Sequence, residues 1–193
     1  AEVMNDAGLM SESLFRKAQG LELKGNWAEA LEALNEAESL AGKNNDILLK
    51  ILYQSGWVLF LSNKYADSME KTIAAESLAD KSDQLQIYAR ALRLKGILFK
   101  QRGEIESAKK SYKKSLIICE KNNLRRDLAN VLHSLGIISW TSDYERGEYY
   151  FQKSIDIKQE LGDIIGIQKS TMSLGVIKKR RGELEEAEKF YRK

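Results

Sequence analysis

Apolar residues recur at i, i+3, i+4 and i+7 along almost the whole chain, and the pattern breaks only at short polar or glycine-bearing stretches. That period belongs to amphipathic helices, and no sustained alternation of β-branched residues competes with it. The chain has no proline and 13 glycines, most of which fall between or inside the helical stretches. The pattern predicts an all-α protein, with helices near 9–24, 27–41, 45–62, 65–80, 83–102, 104–121, 124–141, 144–160, 163–181 and 184–193. The connectors "AGKNND", "ADKSDQ", "EKNNLRRD" and "QELGD" carry Asn, Ser and Asp where N-caps are expected.

A second pattern lies over the first. The stretch "LKGILFKQRGEIESAKKSYKKSL" is a helix interrupted at Gly103, and "SLGVIKKRRGELEEAEKFYRK" repeats it near the end. Small residues recur at Ala18, Gly56, Gly96, Gly136 and Gly175, with spacings of 38, 40, 40 and 39. Seven positions on comes a turn residue, Gly25, Asn63, Gly103 or Gly182, and five further a second small residue, Ala30, Ser68, Ala108 or Ala187. The fourth unit is one residue shorter, with "SDYERG" as its turn and Gly147 in the small position. Leu34, Tyr112, Phe151 and Tyr191 then follow four residues later and are expected to fill the space between pairs. Each unit therefore reads as helix, tight turn, helix. The small residues let the two helices approach, and the expected core includes Leu21, Leu59 and Phe99 beside them.

The spacing around Gly20 to Leu31 and from Gly96 to Tyr112 resembles the tetratricopeptide repeat. The resemblance covers essentially the whole chain, with two departures: no unit has a proline near the end of its second helix, and each is longer than the usual 34 residues. Units of this length resemble those of kinesin light chain, of cell-polarity adaptors and of bacterial and archaeal regulators that sense peptides. The resemblance implies one repeat domain over 1–193, a right-handed α-solenoid of five stacked helix pairs. The repeats run near 9–43, 45–82, 83–122, 124–162 and 163–193, the last cut short.

It also implies a groove lined by fixed positions of the first helices. Those are Lys50, Tyr53, Trp57, Phe60 and Leu61 in the second unit, and Arg90, Arg93, Ile97, Lys100 and Gln101 in the third. The fourth unit supplies Asn130, His133, Ile137, Trp140 and Thr141, and the fifth Lys169, Met172, Val176, Lys179 and Arg180. Lys50, Arg90, Asn130 and Lys169 would form a ladder of donors for an acidic or extended peptide. Tyr53, Trp57, Phe60, His133 and Trp140 are the rigid, polar-edged side chains that peptide contacts favour. The competing reading is structural: Trp57 and Trp140 as core, the basic ladder as a solvated face.

Charge and cysteine use narrow the function. Lys and Arg number 31 against 28 Asp and Glu, so the net charge is only +3. That small excess does not mark the whole molecule as a nucleic-acid or membrane surface. The run "ILLKILYQSGWVLFL" is too short and too polar to span a bilayer, and no basic, apolar leader is visible at "AEVMNDAG". A single cysteine, Cys119, offers neither a disulfide framework nor a cysteine-rich zinc site, and cytoplasm is the expected compartment. One histidine and no P-loop argue against an enzyme, a bound metal or a cofactor.

The expected function is a non-catalytic module for a peptide or a partner-protein segment. Two alternatives stand beside it. Lys178 to Glu183, "KKRRGE", with Arg125, Arg126, Lys50, Arg90, Arg93 and Lys100, offers a basic face for single-stranded RNA. Val176, Ile177, Phe190 and Tyr191 offer an uncapped end for self-association.

Overall fold

A computed structural model describes residues 2–192, with side chains from Asp6 onward. The described residues form ten helices and no strand. They divide into two compact units, residues 1–98 and 99–193.

Unit 1 holds α1 (Glu2–Leu23), α2 (Trp27–Ala41), α3 (Asn45–Leu61), α4 (Tyr65–Ala79) and most of α5 (Leu85–Gln101). Unit 2 holds the end of α5, then α6 (Ile105–Lys121), α7 (Arg125–Ser139), α8 (Tyr144–Glu160), α9 (Ile164–Arg180) and α10 (Leu184–Tyr191). Most boundaries fall within two residues of those read from the sequence. The exception is α1, which begins at Glu2 rather than near residue 9, because its first turns hold too few apolar side chains to show a period. Within each unit the main helix contacts join sequence neighbours, and α1 reaches α3 as well.

The turns inside the pairs use the residues that tolerate a left-handed backbone. Gly25 takes φ +79° and Asn63 φ +60°. The Gly25 N–H donates to Glu22 O at 2.9 Å and the Asn26 N–H to Leu21 O at 3.0 Å, which satisfies the last carbonyls of α1. The fourth pair turns differently: its shorter loop has no left-handed residue, and Asp143 accepts from the Arg146 N–H to start α8. The expected Asn and Asp caps hold at Asn44 for α3 and Asp163 for α9, but α7 has Leu124 at its N-cap position and no side-chain cap.

The small-residue register is the packing device. A Cβ on Gly136 would lie 2.7 Å from the Phe151 ring, so only glycine lets α7 and α8 cross with that ring between them. A Cβ on Gly147 would lie 2.8 Å from the Trp140 Cα, a backbone atom that cannot swing aside. Unit 1 buries Phe15, Ala18, Ala30, Leu34, Ile47 and Val58 together, with Leu49, Leu52, Ala75, Ala79 and Ala91 as a second cluster. Unit 2 buries Phe151, Ile155, Leu174 and Ile177 together, and Ala129, Leu132 and Ile157 beside one another. Leu21 and Phe99, expected in the core, are only half-buried.

Candidate functional site

In unit 1 the candidate residues of α3 share a pattern of exposure. Lys50, Tyr53, Trp57 and Phe60 are half-exposed while the residues between them are mostly buried, and Arg90, Arg93 and Ile97 are half-exposed on α5. Three first helices bring part of this set together. Lys50, Tyr53 and Arg90 line a cavity of about 320 Å3 with Phe15, Gln19, Gln54, Gln86 and Ile87, from α1, α3 and α5. The rim also carries Arg16, paired with Glu12 at 2.9 Å, and Gln84, which donates to Asp46 Oδ1 at 2.7 Å. Arg16, Lys50, Arg90 and Glu12 are the charged side chains of this lining, and four glutamine amides add donors and acceptors.

Trp57 is not plain core. Its indole N–H donates to Glu22 Oε1 at 3.0 Å, while Gln54 Nε2 donates to Glu22 Oε2 at 2.7 Å, so one carboxylate of α1 holds two side chains of α3. Arg93 lies over the Trp57 ring at 5.8 Å and Phe60 packs against it at 5.6 Å between centroids. Neither Glu22 nor Gln54 was singled out in the sequence. Glu22 looks there like any other glutamate of a polar helix end, and only the fold places it against Trp57.

In unit 2, Asn130, His133, Ile137 and Trp140 are half-buried on α7, and Lys169 and Met172 are exposed on α9. Trp140 serves the turn: it packs against Gly147, joins the Phe151 cluster and stacks on Tyr144 at 6.4 Å. His133 contacts the Phe151 ring at 5.2 Å, and its Nδ1 lies 3.0 Å from Ser170 Oγ. Ser170 also accepts from Lys158 Nζ at 3.0 Å. Serine, lysine and histidine together suggest nucleophile chemistry, but Ser170 is 0% exposed, so no substrate reaches its hydroxyl. Nothing in the spacing of the sequence marked Ser170 or Lys158.

Met172, Phe190 and Tyr191 meet at a second cavity of about 390 Å3, lined also by Ile155, Ile167 and Thr171. Val176, Ile164 and Ile165 are exposed on α9, and Tyr191 is exposed on α10. Ile177 does not belong there. It is 0% exposed, its side chain turned into the Phe151 cluster and against Gly147.

Two cations of the basic run at the α9–α10 turn, Lys178 and Arg181, are engaged. Lys178 donates to Glu183 at 2.8 Å and lies 3.3 Å from both Glu148 and Glu186, and Arg181 pairs with Glu183 and Glu148. The hydrogen bond to Glu183 is the main reason the Lys178 ammonium titrates well above its usual value. The same bond holds the Glu183 carboxyl below its own. Arg125 pairs with Glu160. In unit 1, burial and then a hydrogen bond to Asp80 push the Tyr88 hydroxyl up to about 12. Among the described residues no group of three His, Cys, Asp or Glu side chains could hold a metal ion. No described helix is long and apolar enough to cross a membrane.

The chain matches no protein-family model, and no curated protein matches its sequence. Solved structures do match its fold. BtubC from P. vanneervenii superposes with a TM-score of 0.74 at 17% identity, over 97% of this chain and 86% of that one. A Rap protein complexed with competence and sporulation factor gives 0.85 at 15% identity, over 95% of this chain and 52% of that one. The Rap conjugation gene regulator of plasmid pLS20, in complex with the Phr* peptide, gives 0.82 at 18% identity, over 97% and 53%. This chain therefore spans about half the length of those two Rap chains. The fold is the all-α, tetratricopeptide-type helical repeat.

Proposed function

We propose that the chain is a non-catalytic binding module that takes an acidic, extended peptide or partner segment on the strip formed by the first helices of unit 1. The observation that carries this reading is the α1/α3/α5 cavity of unit 1, where Lys50 and Arg90 stand beside Tyr53 and three glutamines. An extended main chain needs alternating donors and acceptors, which amide side chains supply, and guanidinium and ammonium groups select carboxylates over other side chains. The Glu22 clamp holds Trp57 in place before any ligand arrives, so little ordering remains to be done on binding. A regulator of the same fold is complexed with a peptide, the Phr* peptide, which is consistent with this use.

The test is a fluorescence-anisotropy titration with a labelled oligoglutamate peptide, against oligolysine and a random RNA oligonucleotide. Saturable binding of the acidic peptide alone is expected, and the double variant Lys50→Glu, Arg90→Glu should abolish it at an unchanged melting temperature. RNA binding in its place, or a parallel loss of fold and binding, overturns the reading.

A second reading is self-association through α9, supported by exposed Ile164, Ile165, Met172 and Val176 next to Tyr191. Sedimentation across a concentration series tests it: a strict monomer at high concentration removes it.

A further inference from the structure

Two second helices carry opposite charge. In unit 1, α2 has four glutamates and no lysine or arginine, whereas α6 of unit 2 has five lysines and two glutamates. Lys109 alone of those lysines reaches a carboxylate among the described residues, Glu106 at 3.7 Å. Lys110, Lys113, Lys114 and Lys121 are exposed without an ion pair there. Their spacings of three, four and seven residues put them on one face, with exposed Ile117 among them.

The acidic face of α2 is as regular. Glu29, Glu32 and Glu36 are exposed, three and then four residues apart, and so share one side of the helix. Glu29 accepts a hydrogen bond from the Asn26 amide at 3.2 Å, while the Glu32 and Glu36 carboxylates have no partner among the described residues. Exposed Asp67 and Glu70 of α4 add to the acidic side chains of unit 1. The cations that share a cavity with Glu32 are Lys64 and Lys71, and Glu38 already holds Lys71 at 2.7 Å. Seven residues separate Glu29 from Glu36 and Lys114 from Lys121, a span of about 10 Å along either helix. Two such helices laid side by side bring both pairs within reach.

We propose that the lysine face of α6 meets a second copy of the chain, docking against the glutamate face of α2 in that copy. Charge complementarity carries the choice of occupant: every chain brings one face of each sign, so the partner is present wherever the protein is. Like faces repel, and the contact therefore joins unlike ones. A single exposed ion pair contributes little, so several must form together, and the association is weak and lost as salt screens it. The contact is independent of the peptide reading and uses none of the apolar α9 side chains.

Sedimentation of the wild-type chain over a concentration series tests this in about 0.01 M and about 1 M sodium chloride, where charges are screened over about 30 Å and 3 Å. Association at low salt and a monomer at high salt are expected. A monomer at both, with or without binding of a random RNA oligonucleotide, overturns the proposal, and so does association that survives high salt. The triple variants Glu29→Lys, Glu32→Lys, Glu36→Lys and Lys110→Glu, Lys114→Glu, Lys121→Glu should each stay monomeric at low salt, because each carries two faces of one sign. Mixed in equal amounts they should associate again, and a mixture that remains monomeric overturns the pairing of these faces. Lysine and glutamate have similar helix propensities, and circular dichroism checks that both variants fold. If either does not, glutamine at the same positions should abolish the low-salt association, and its persistence overturns the proposal.

Discussion

Units 1 and 2 bury a serine on a first helix in opposite circumstances. Ser55 of α3 has no hydrogen-bond partner for its hydroxyl among the described residues, whereas Ser170 of α9 lies within hydrogen-bond reach of Lys158 and His133. The same contrast runs through the units. Unit 1 fills the deep slots of its second helices with Ala41 and Ala79, unit 2 with Cys119 and Lys158. Unit 1 carries 11 Lys and Arg against 14 Asp and Glu, unit 2 carries 20 against 14. The register of small residues sets how close the helices come. It leaves the chemistry of the filled space open, and that is where one repeat can differ from the next.

The largest effect should come from the residue that fills the crossing. Phe151→Ala empties the space beside Gly136 and should destabilise unit 2 by about 3–5 kcal/mol, whereas Thr72→Ala at the matching place in unit 1 should cost about 1 kcal/mol. Urea unfolding of both variants checks the ratio, and equal losses would mean that the slots are not equivalent.

A smaller, opposite-signed pair concerns the two serines. Ser55→Ala removes an unsatisfied hydroxyl and should leave stability unchanged or raise it by about 1 kcal/mol. Ser170→Ala strips an acceptor from a buried amine and should lower stability by about 1–3 kcal/mol. Melting temperatures that fall alike would show that Ser55 has a partner after all.

The smallest effect is in pH. Tyr88 in unit 1 holds its proton more tightly when folded, so its contribution is complete below about 10 and fades as pH climbs toward 12. Lys178 in unit 2 behaves alike, complete below its ordinary value and lost as pH rises through the higher folded one. Glu183 works from the other side: its contribution is present above its ordinary value and lost as pH falls through the lowered one. A pH–stability profile of wild type against Glu183→Gln should therefore differ on the acid limb, and Tyr88→Phe should flatten only the alkaline one.

Much of the fold was legible because it depends on residues with one purpose. Gly136 can only be a close approach and Gly25 only a left-handed turn, so their spacing yields the helix pairs directly. The candidate positions on α3 and α7 came from the resemblance, and the structure leaves them half-exposed. Glu22, Gln54, Lys158 and Ser170 were not legible, because their roles arise from helices that are distant in sequence and polar in the ordinary way. Ile177 was misplaced for a related reason: it sits one residue from exposed Val176, and only the rotation of α9 decides which of the two turns inward.

Contacts between neighbours in sequence bear on how the protein comes into being. A ribosome releases about 5–20 residues each second, so one pair of roughly 40 residues emerges every few seconds. Helical structures built from such local contacts form in about microseconds to milliseconds. Every pair can thus close before the next has left the exit tunnel, with no strand waiting for a distant partner and little time for apolar surface to find the wrong one.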